Sequence, residues 1–130
     1  MMKTLAAVTW LAYAWSAPDP FKTLTITDLV KILKFSGNTF TPAIYDANVE
    51  STRENVGLIP VAKLLSSSKS YDLATTLPSD KKAPLVFYCA NTQCTASHTA
   101  AKRAIAGGYT DVSVMVDGIY GWQKAGHPLE

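Results

Sequence analysis

Residues 84–95, Pro84-Leu85-Val86-Phe87-Tyr88-Cys89-Ala90-Asn91-Thr92-Gln93-Cys94-Thr95, narrow the choice of fold more than any other stretch. Leu85 to Tyr88 is an unbroken apolar run with one valine and two aromatics, the pattern of a strand buried on both faces. Six small or polar residues follow, Cys89 to Cys94, with the two cysteines of the chain at their ends. Thr95 then opens residues 96–106, which are almost wholly helix formers, and Gly107-Gly108 ends them where a C′ glycine is expected. Strand, tight loop and helix therefore succeed one another around Cys89. A thiol at a strand end facing a helix N-terminus meets free N–H groups and the positive end of the helix dipole. It can ionise below its ordinary value of about 8.5 and act as a nucleophile. Position alone leaves a buried, inert thiol as an equal alternative.

The rest of the chain alternates in the same way. Residues 21–26 read as a first strand, and Thr27 as the cap of a helix from Asp28 to about Ser36, stopped by Gly37-Asn38. Ala43-Ile44-Tyr45 is a second strand ending at Asp46. The polar residues 48–55 suit a loop with one helical turn. A turn at 57–62 leads to a short strand at 63–65, and residues 71–77 form a short helix before Pro78. After the central helix, residues 112–116 are another buried strand, and Asp117-Gly118 turns into a last helix carrying Ile119, Trp122 and Ala125. Strands alternating with helices predict an α/β fold with a parallel sheet covered on both faces. Sites in such sheets lie beyond the carboxyl ends of the strands, where Asp46, Cys89 and Asp117 fall.

At 130 residues the chain is one domain. A net charge of +2, with no basic cluster interleaved with aromatics, argues against a nucleic-acid partner. Two cysteines do not make a disulfide framework. Residues 1–17 read as a compact secretory signal: Met1-Met2-Lys3, an apolar run with Leu5, Val8, Trp10 and Leu11, then Ala12-Tyr13-Ala14 and Ser16-Ala17 as small-residue stops. The run is too short to span a bilayer. Residues 18–130 would then be the mature domain, periplasmic or secreted, where a Cys89–Cys94 disulfide is possible. The alternative is an N-terminal helix or tail of a cytoplasmic protein.

Three passages together resemble the rhodanese (sulfurtransferase) family, over about residues 21–129. Leu85-Val86-Phe87-Tyr88-Cys89 is similar to its active-site strand and cysteine. Gly107-Gly108-Tyr109-Thr110-Asp111-Val112 is similar to its Gly-aromatic-x-x-Val passage. Asp117-Gly118-Ile119-Tyr120-Gly121-Trp122-Gln123-Lys124-Ala125-Gly126-His127-Pro128 is similar to its C-terminal Gly-Gly-x-x-x-Trp-x-x-x-Gly-x-Pro signature. Ile44-Tyr45-Asp46 and Gly57-Leu58-Ile59-Pro60-Val61-Ala62 resemble earlier passages more loosely. The resemblance implies a rhodanese-like central parallel sheet of about five strands with helices on both faces. It implies that Cys89 accepts a sulfane sulfur as a persulfide and passes it to a thiol or other nucleophile. Ala90, Asn91, Thr92, Gln93 and Thr95 would bind substrate, with backbone amides aimed at the Cys89 sulfur. Asp46 would orient that loop. The partners implied are a small sulfur donor or thiol acceptor, with a protein partner as a further option, no cofactor, and a monomeric domain.

The sequence departs from the family pattern at informative places. Cys94 stands where the family's loop closes with arginine, so binding of dianionic thiosulfate is expected to be weak. Asp46-Ala47-Asn48 replaces Asp-x-Arg, and Leu58 and Val61 replace His and Gly of Gly-His-Ile-Pro-Gly-Ala. Related dual-specificity phosphatases place arginine six positions after cysteine; Thr95 there argues against that activity. Cys94 suggests a second reading, a resolving thiol that closes a disulfide with Cys89 in a thiol redox protein. A third is a non-catalytic binding module of the same fold. A metal held by Cys89, Cys94 and His98 is the minor reading, since no fourth ligand is evident. Trp122 reads as core packing and His127 as a turn residue.

Overall fold

A computed structural model describes residues 18–35 and 42–130; the expected leader and the Gly37-Asn38 stop lie outside the described residues. Five strands, β1 (Lys22–Leu24), β2 (Ala43–Asp46), β3 (Lys63–Leu64), β4 (Leu85–Tyr88) and β5 (Val112–Met115), form one sheet of order β1-β5-β4-β2-β3. Every neighbouring pair is parallel. The helices are α1 (Ile26–Phe35), α2 (Glu50–Val56), α3 (Leu73–Thr76), α4 (Ala96–Ala106) and α5 (Gly118–Lys124).

The alternation of side chains along each strand divides the interior in two. Leu85, Phe87, Val112, Val114 and Tyr45 share one cluster with Ala100, Ala101 and Ala104 of α4. Val86, Tyr88, Ile44 and Met115 share the other with Leu29 of α1 and Ile119 and Trp122 of α5. All four residues of β4 are buried, as an unbroken apolar run requires of a central strand. Cys89 belongs to the α4 cluster, so its direction is set by the same alternation.

Several boundaries differ from the sequence expectations. Helix α1 begins at Ile26, because Thr25 and not Thr27 caps it. The Asp28 N–H donates to Thr25 Oγ1 at 3.0 Å, and the Thr25 N–H donates back to Asp28 Oδ2 at 3.1 Å, a reciprocal capping box. Those bonds hold the Asp28 carboxyl below its ordinary range. The expected 71–77 helix is only α3, started by Asp72, whose side chain accepts from the Ala74 N–H. A seven-residue helix, α2 (Glu50–Val56), stands where a loop with one turn was expected over 48–55.

The turn before β3 carries strain. The Ala62 N–H donates to Ile59 O at 3.0 Å, closing a β-turn with Pro60 and Val61 at its centre. Val61 there has φ +66°, the left-handed conformation that a turn with Pro at its first central position asks of glycine. A β-branched side chain is a poor occupant of that region. Val61→Gly is expected to raise stability by about 1 kcal/mol, or about 3 °C in midpoint, after allowance for glycine's greater unfolded-state entropy. Thermal melts of the two proteins check this, and an unchanged or lower midpoint would refute it.

Candidate functional site

The site sits at the carboxyl end of β4, where the central strand runs into the loop leading to α4. Cys89 is 2% exposed, and its Sγ is joined to Cys94 Sγ in a disulfide whose Cα atoms lie 6.3 Å apart. Ser97 Oγ lies 3.3 Å from Cys89 Sγ. A disulfide sulfur carries no proton, so the hydroxyl is the donor in this state. Sequence reasoning did not select Ser97. Its signal is helical spacing: Ser97, Ala100, Ala101 and Ala104 are the buried residues of α4, and Ser97 is the polar member at the end nearest the cysteine.

The loop is held by its own turn and by α5. The Gln93 N–H donates to Asn91 Oδ1 at 3.0 Å and the Cys94 N–H to Asn91 O at 3.1 Å. Of the amides from Ala90 to Thr95 that were expected to face the Cys89 sulfur, those of Gln93 and Cys94 therefore close the turn instead. The amides of Asn91, Thr92 and Thr95 have no partner among the described residues. Thr95 is the N-cap of α4 without a side-chain capping bond. Asn91, Thr92, Gln93 and Thr95 are exposed, and Ala90 is half-buried.

At the base of the loop, the Ile119 N–H donates to Cys89 O at 2.8 Å and the Tyr120 N–H to Ala90 O at 3.0 Å. Gly118 makes this contact possible. Its φ is +70°, and a Cβ there would lie 2.5 Å from the carbonyl carbon of Ala90 and 2.6 Å from Cys89 O. Asp117-Gly118 is thus where the last helix meets the cysteine backbone.

Asp46 lies at the neighbouring strand end but does not orient the loop, which corrects that expectation. Its fully buried carboxylate accepts from the Asn48 N–H at 2.7 Å, from Tyr88 Oη at 2.8 Å and from Arg53 Nε at 3.4 Å. Arg53 also donates to Asp46 O and Leu65 O, both at 3.0 Å. A guanidinium therefore reaches Asp46 from α2, although the position two residues after it in the chain is Asn48. Arg53 was another residue that sequence reasoning passed over, as one of several polar residues. The Asn48 Nδ2 is buried without a hydrogen-bond partner.

The remaining candidates have structural surroundings. The His98 ring packs on Phe21 with centroids 5.0 Å apart, away from a shared site with the two cysteines, and no group of three metal-ligating side chains occurs among the described residues. Trp122 is buried and donates from Nε1 to Pro128 O at 2.7 Å, with His127 against its ring. A cleft of about 400 Å³ opens beside the N-terminus of α4, lined by Asn48, Val49, Ser66, Ser67, Ser68 and Ala96 among others.

A family model for the rhodanese-like domain matches residues 26–125. The chain belongs to the rhodanese-like family. Solved structures with the same fold include the rhodanese-like domain of an Anabaena protein, at 22% identity over 83% of this chain and 77% of that one, TM-score 0.66. A human single-domain sulfurtransferase is 20% identical over 84% of this chain and 97% of its own, TM-score 0.60. A thiosulfate sulfurtransferase from Pseudomonas aeruginosa is 21% identical over 85% of this chain and 20% of its own, TM-score 0.65. No curated protein matches significantly. The rhodanese-like sheet here is the expected one, five parallel strands with helices on both faces.

Two outcomes follow from the site's packing. Gly118→Ala is expected to destabilise by on the order of 2–4 kcal/mol, since the new Cβ meets backbone in a left-handed conformation. Denaturant melts would show it, and a loss below about 0.5 kcal/mol would mean that the contact yields freely. Burial raises the phenols of Tyr45, to about 12, and of Tyr71 and Tyr88; beside Tyr88 the Asp46 carboxylate adds to the shift. Native pKa values above the unfolded value of about 10 give stability that is complete below pH 10 and lost as pH rises beyond it. Stability should therefore fall between about pH 10 and 12, with the phenolate absorbance of Tyr45, Tyr71 and Tyr88 appearing only as the fold is lost; the absorbance change of all six tyrosines in protein that is still folded would contradict this.

Proposed function

We propose that this domain carries a sulfane sulfur as a persulfide on Cys89 and passes it to a thiol or other nucleophile. The observation that supports this most is the placement of Cys89, at the tip of the central strand, beneath the N-terminus of α4 and in contact with the Ser97 hydroxyl. A thiolate or persulfide anion there meets a hydrogen-bond donor and the positive end of a helix dipole. The Cys89–Cys94 disulfide is the oxidised form, so reduction by a thiol precedes sulfur uptake. The partners in this reading are a small sulfur donor and a thiol acceptor, met by a monomer. Exported from the cytoplasm by the segment 1–17, the domain would work in the periplasm or outside the cell, where the disulfide persists.

The disulfide favours a second reading, in which Cys89 and Cys94 cycle as a thiol redox pair. A binding module that has lost chemistry would leave Cys89 unreactive. Intact mass separates the three. Reduced wild type treated with glutathione persulfide should gain about 32 Da, the mass of one sulfur, or return to the disulfide, whereas Cys89→Ser should take up no sulfur. Uptake by Cys89→Ser, or a wild type that neither gains sulfur nor returns to the disulfide, would sink the carrier reading.

Cys94→Arg is expected to raise turnover with thiosulfate. The donor is a dianion approaching a thiolate, and the helix dipole offers only about half a positive charge. A guanidinium at the loop's end adds a full charge and a forked donor, about ten- to thirtyfold in kcat/KM for 1–2 kcal/mol of transition-state binding. Unchanged thiosulfate turnover in a variant that still takes up persulfide sulfur would show that charge at this position does not limit the reaction.

A further inference from the structure

We infer that the Cys89–Cys94 pair is directional: Cys94 displaces hydrosulfide from a Cys89 persulfide, and the resulting disulfide is reopened by a thiol that attacks Cys94, with Ser97 keeping Cys89 as the leaving group. The inference rests on the persulfide reading above and assigns to that site a further activity, persulfide reduction. Its basis is an asymmetry between the two sulfurs. Cys89 is 2% exposed and a buried member of the α4 cluster, while Cys94 packs against that cluster only half-buried, between exposed Gln93 and Thr95. Attack on a disulfide proceeds along the line of the bond, so a thiol reaching Cys89 Sγ would have to come through the packed side of the site. A thiol reaching Cys94 Sγ comes from the loop side.

The leaving group is chosen in the same direction. Ser97 Oγ donates to Cys89 Sγ at 3.3 Å, and no polar contact is made to Cys94 Sγ among the described residues. A donor already in place favours negative charge on Cys89 as the bond breaks, and a better-stabilised thiolate leaves faster. Cys94 in turn is the nucleophile best placed against the Cys89 sulfur, because the loop brings the two into bonding contact.

The steps balance. The Cys89 thiolate attacks the outer sulfur of a hydropersulfide R–S–SH, forming Cys89–S–SH and releasing the thiolate of R–SH. The Cys94 thiolate attacks Cys89 Sγ; the S–S bond of the persulfide breaks, hydrosulfide departs with the electron pair, and the Cys89–Cys94 disulfide closes. A small thiol R′–SH, as its thiolate, attacks Cys94 Sγ and expels the Cys89 thiolate. A second R′–SH resolves the mixed disulfide, giving R′–S–S–R′ and free Cys94. In sum, one hydropersulfide R–S–SH and two thiols R′–SH give R–SH, hydrogen sulfide and R′–S–S–R′, with the thiol as reductant.

The test uses the whole domain. Oxidised wild type is mixed briefly with glutathione, quenched with N-ethylmaleimide in acid and mapped by peptide mass. Glutathione is expected on Cys94 and maleimide on Cys89; glutathione on Cys89 overturns the direction. Reduced protein is then loaded with one equivalent of glutathione persulfide, without other thiol, and hydrosulfide is measured. Wild type should release about one equivalent and finish as the disulfide, while Cys94→Ser should hold the sulfur on Cys89. Equal release from Cys94→Ser overturns the inference and leaves the carrier reading standing, whereas no uptake by either protein removes both. Ser97→Ala should slow opening of the disulfide by glutathione about fivefold and move the pH profile of Cys89 alkylation in the reduced protein upward, with Ser97→Thr restoring both. An unmoved pH profile would remove Ser97 from the assignment.

Discussion

The site depends on two hydrogen bonds between the start of α5 and the loop after β4. The residues just past a central parallel strand carry carbonyls that the sheet no longer pairs, and a buried carbonyl without a partner is expensive. The Ile119 and Tyr120 amides satisfy the Cys89 and Ala90 carbonyls, and only glycine at 118 lets the two backbones approach so closely. The C-terminal signature and the cysteine, about thirty residues apart in sequence, are therefore one structural unit. Cys89 is fixed at its backbone by α5, in its side-chain direction by the alternation of β4, and at its sulfur by Ser97 of α4.

A second unit stands beside it. Asp46 is charged and wholly buried, a condition that requires full pairing. Tyr88, Arg53 and the Asn48 amide supply it, and Tyr88 also accepts from the Ile59 N–H at 3.2 Å. Tyr88 is the last residue of β4, so this network ties the carboxyl ends of β2 and β4 together immediately before the cysteine loop begins. A rigid strand end at Tyr88 is what gives the following cysteine a fixed origin.

The parts legible in the sequence were those set by local rules. Helix α4 begins and ends where its helix formers and glycines place it, and the unbroken run at 85–88 is indeed the central strand. Thr25 was missed as a cap because Thr27 offered the same chemistry two residues later, and only the register of the helix decides between them. Asp46 was assigned to the loop because both fall at strand ends; the side chain instead turns to a partner on β4, a choice made by packing across the sheet. Ser97 and Arg53 were hidden for a common reason. Each looks like an ordinary polar residue of a helix, and its role arises only where tertiary contacts bring it to a buried acceptor.

The loop's lack of a cation then has a physical meaning. A sulfur anion at the Cys89 position can be stabilised by a full charge or by directed dipoles. Full charge favours dianionic donors by long-range attraction, whereas a hydroxyl at 3.3 Å acts only on the atom it touches. Replacing arginine with Cys94 exchanges attraction for the donor against a second thiol held within bonding reach of the first. On the proposed persulfide reading, such a site would gain little from thiosulfate's charge and much from a substrate whose sulfur, once on Cys89, could be displaced from within. Hydropersulfides, whose reacting end carries at most a single charge, meet that condition. That proposed preference would follow from what surrounds the two sulfurs, and the rhodanese-like sheet would serve either chemistry equally well.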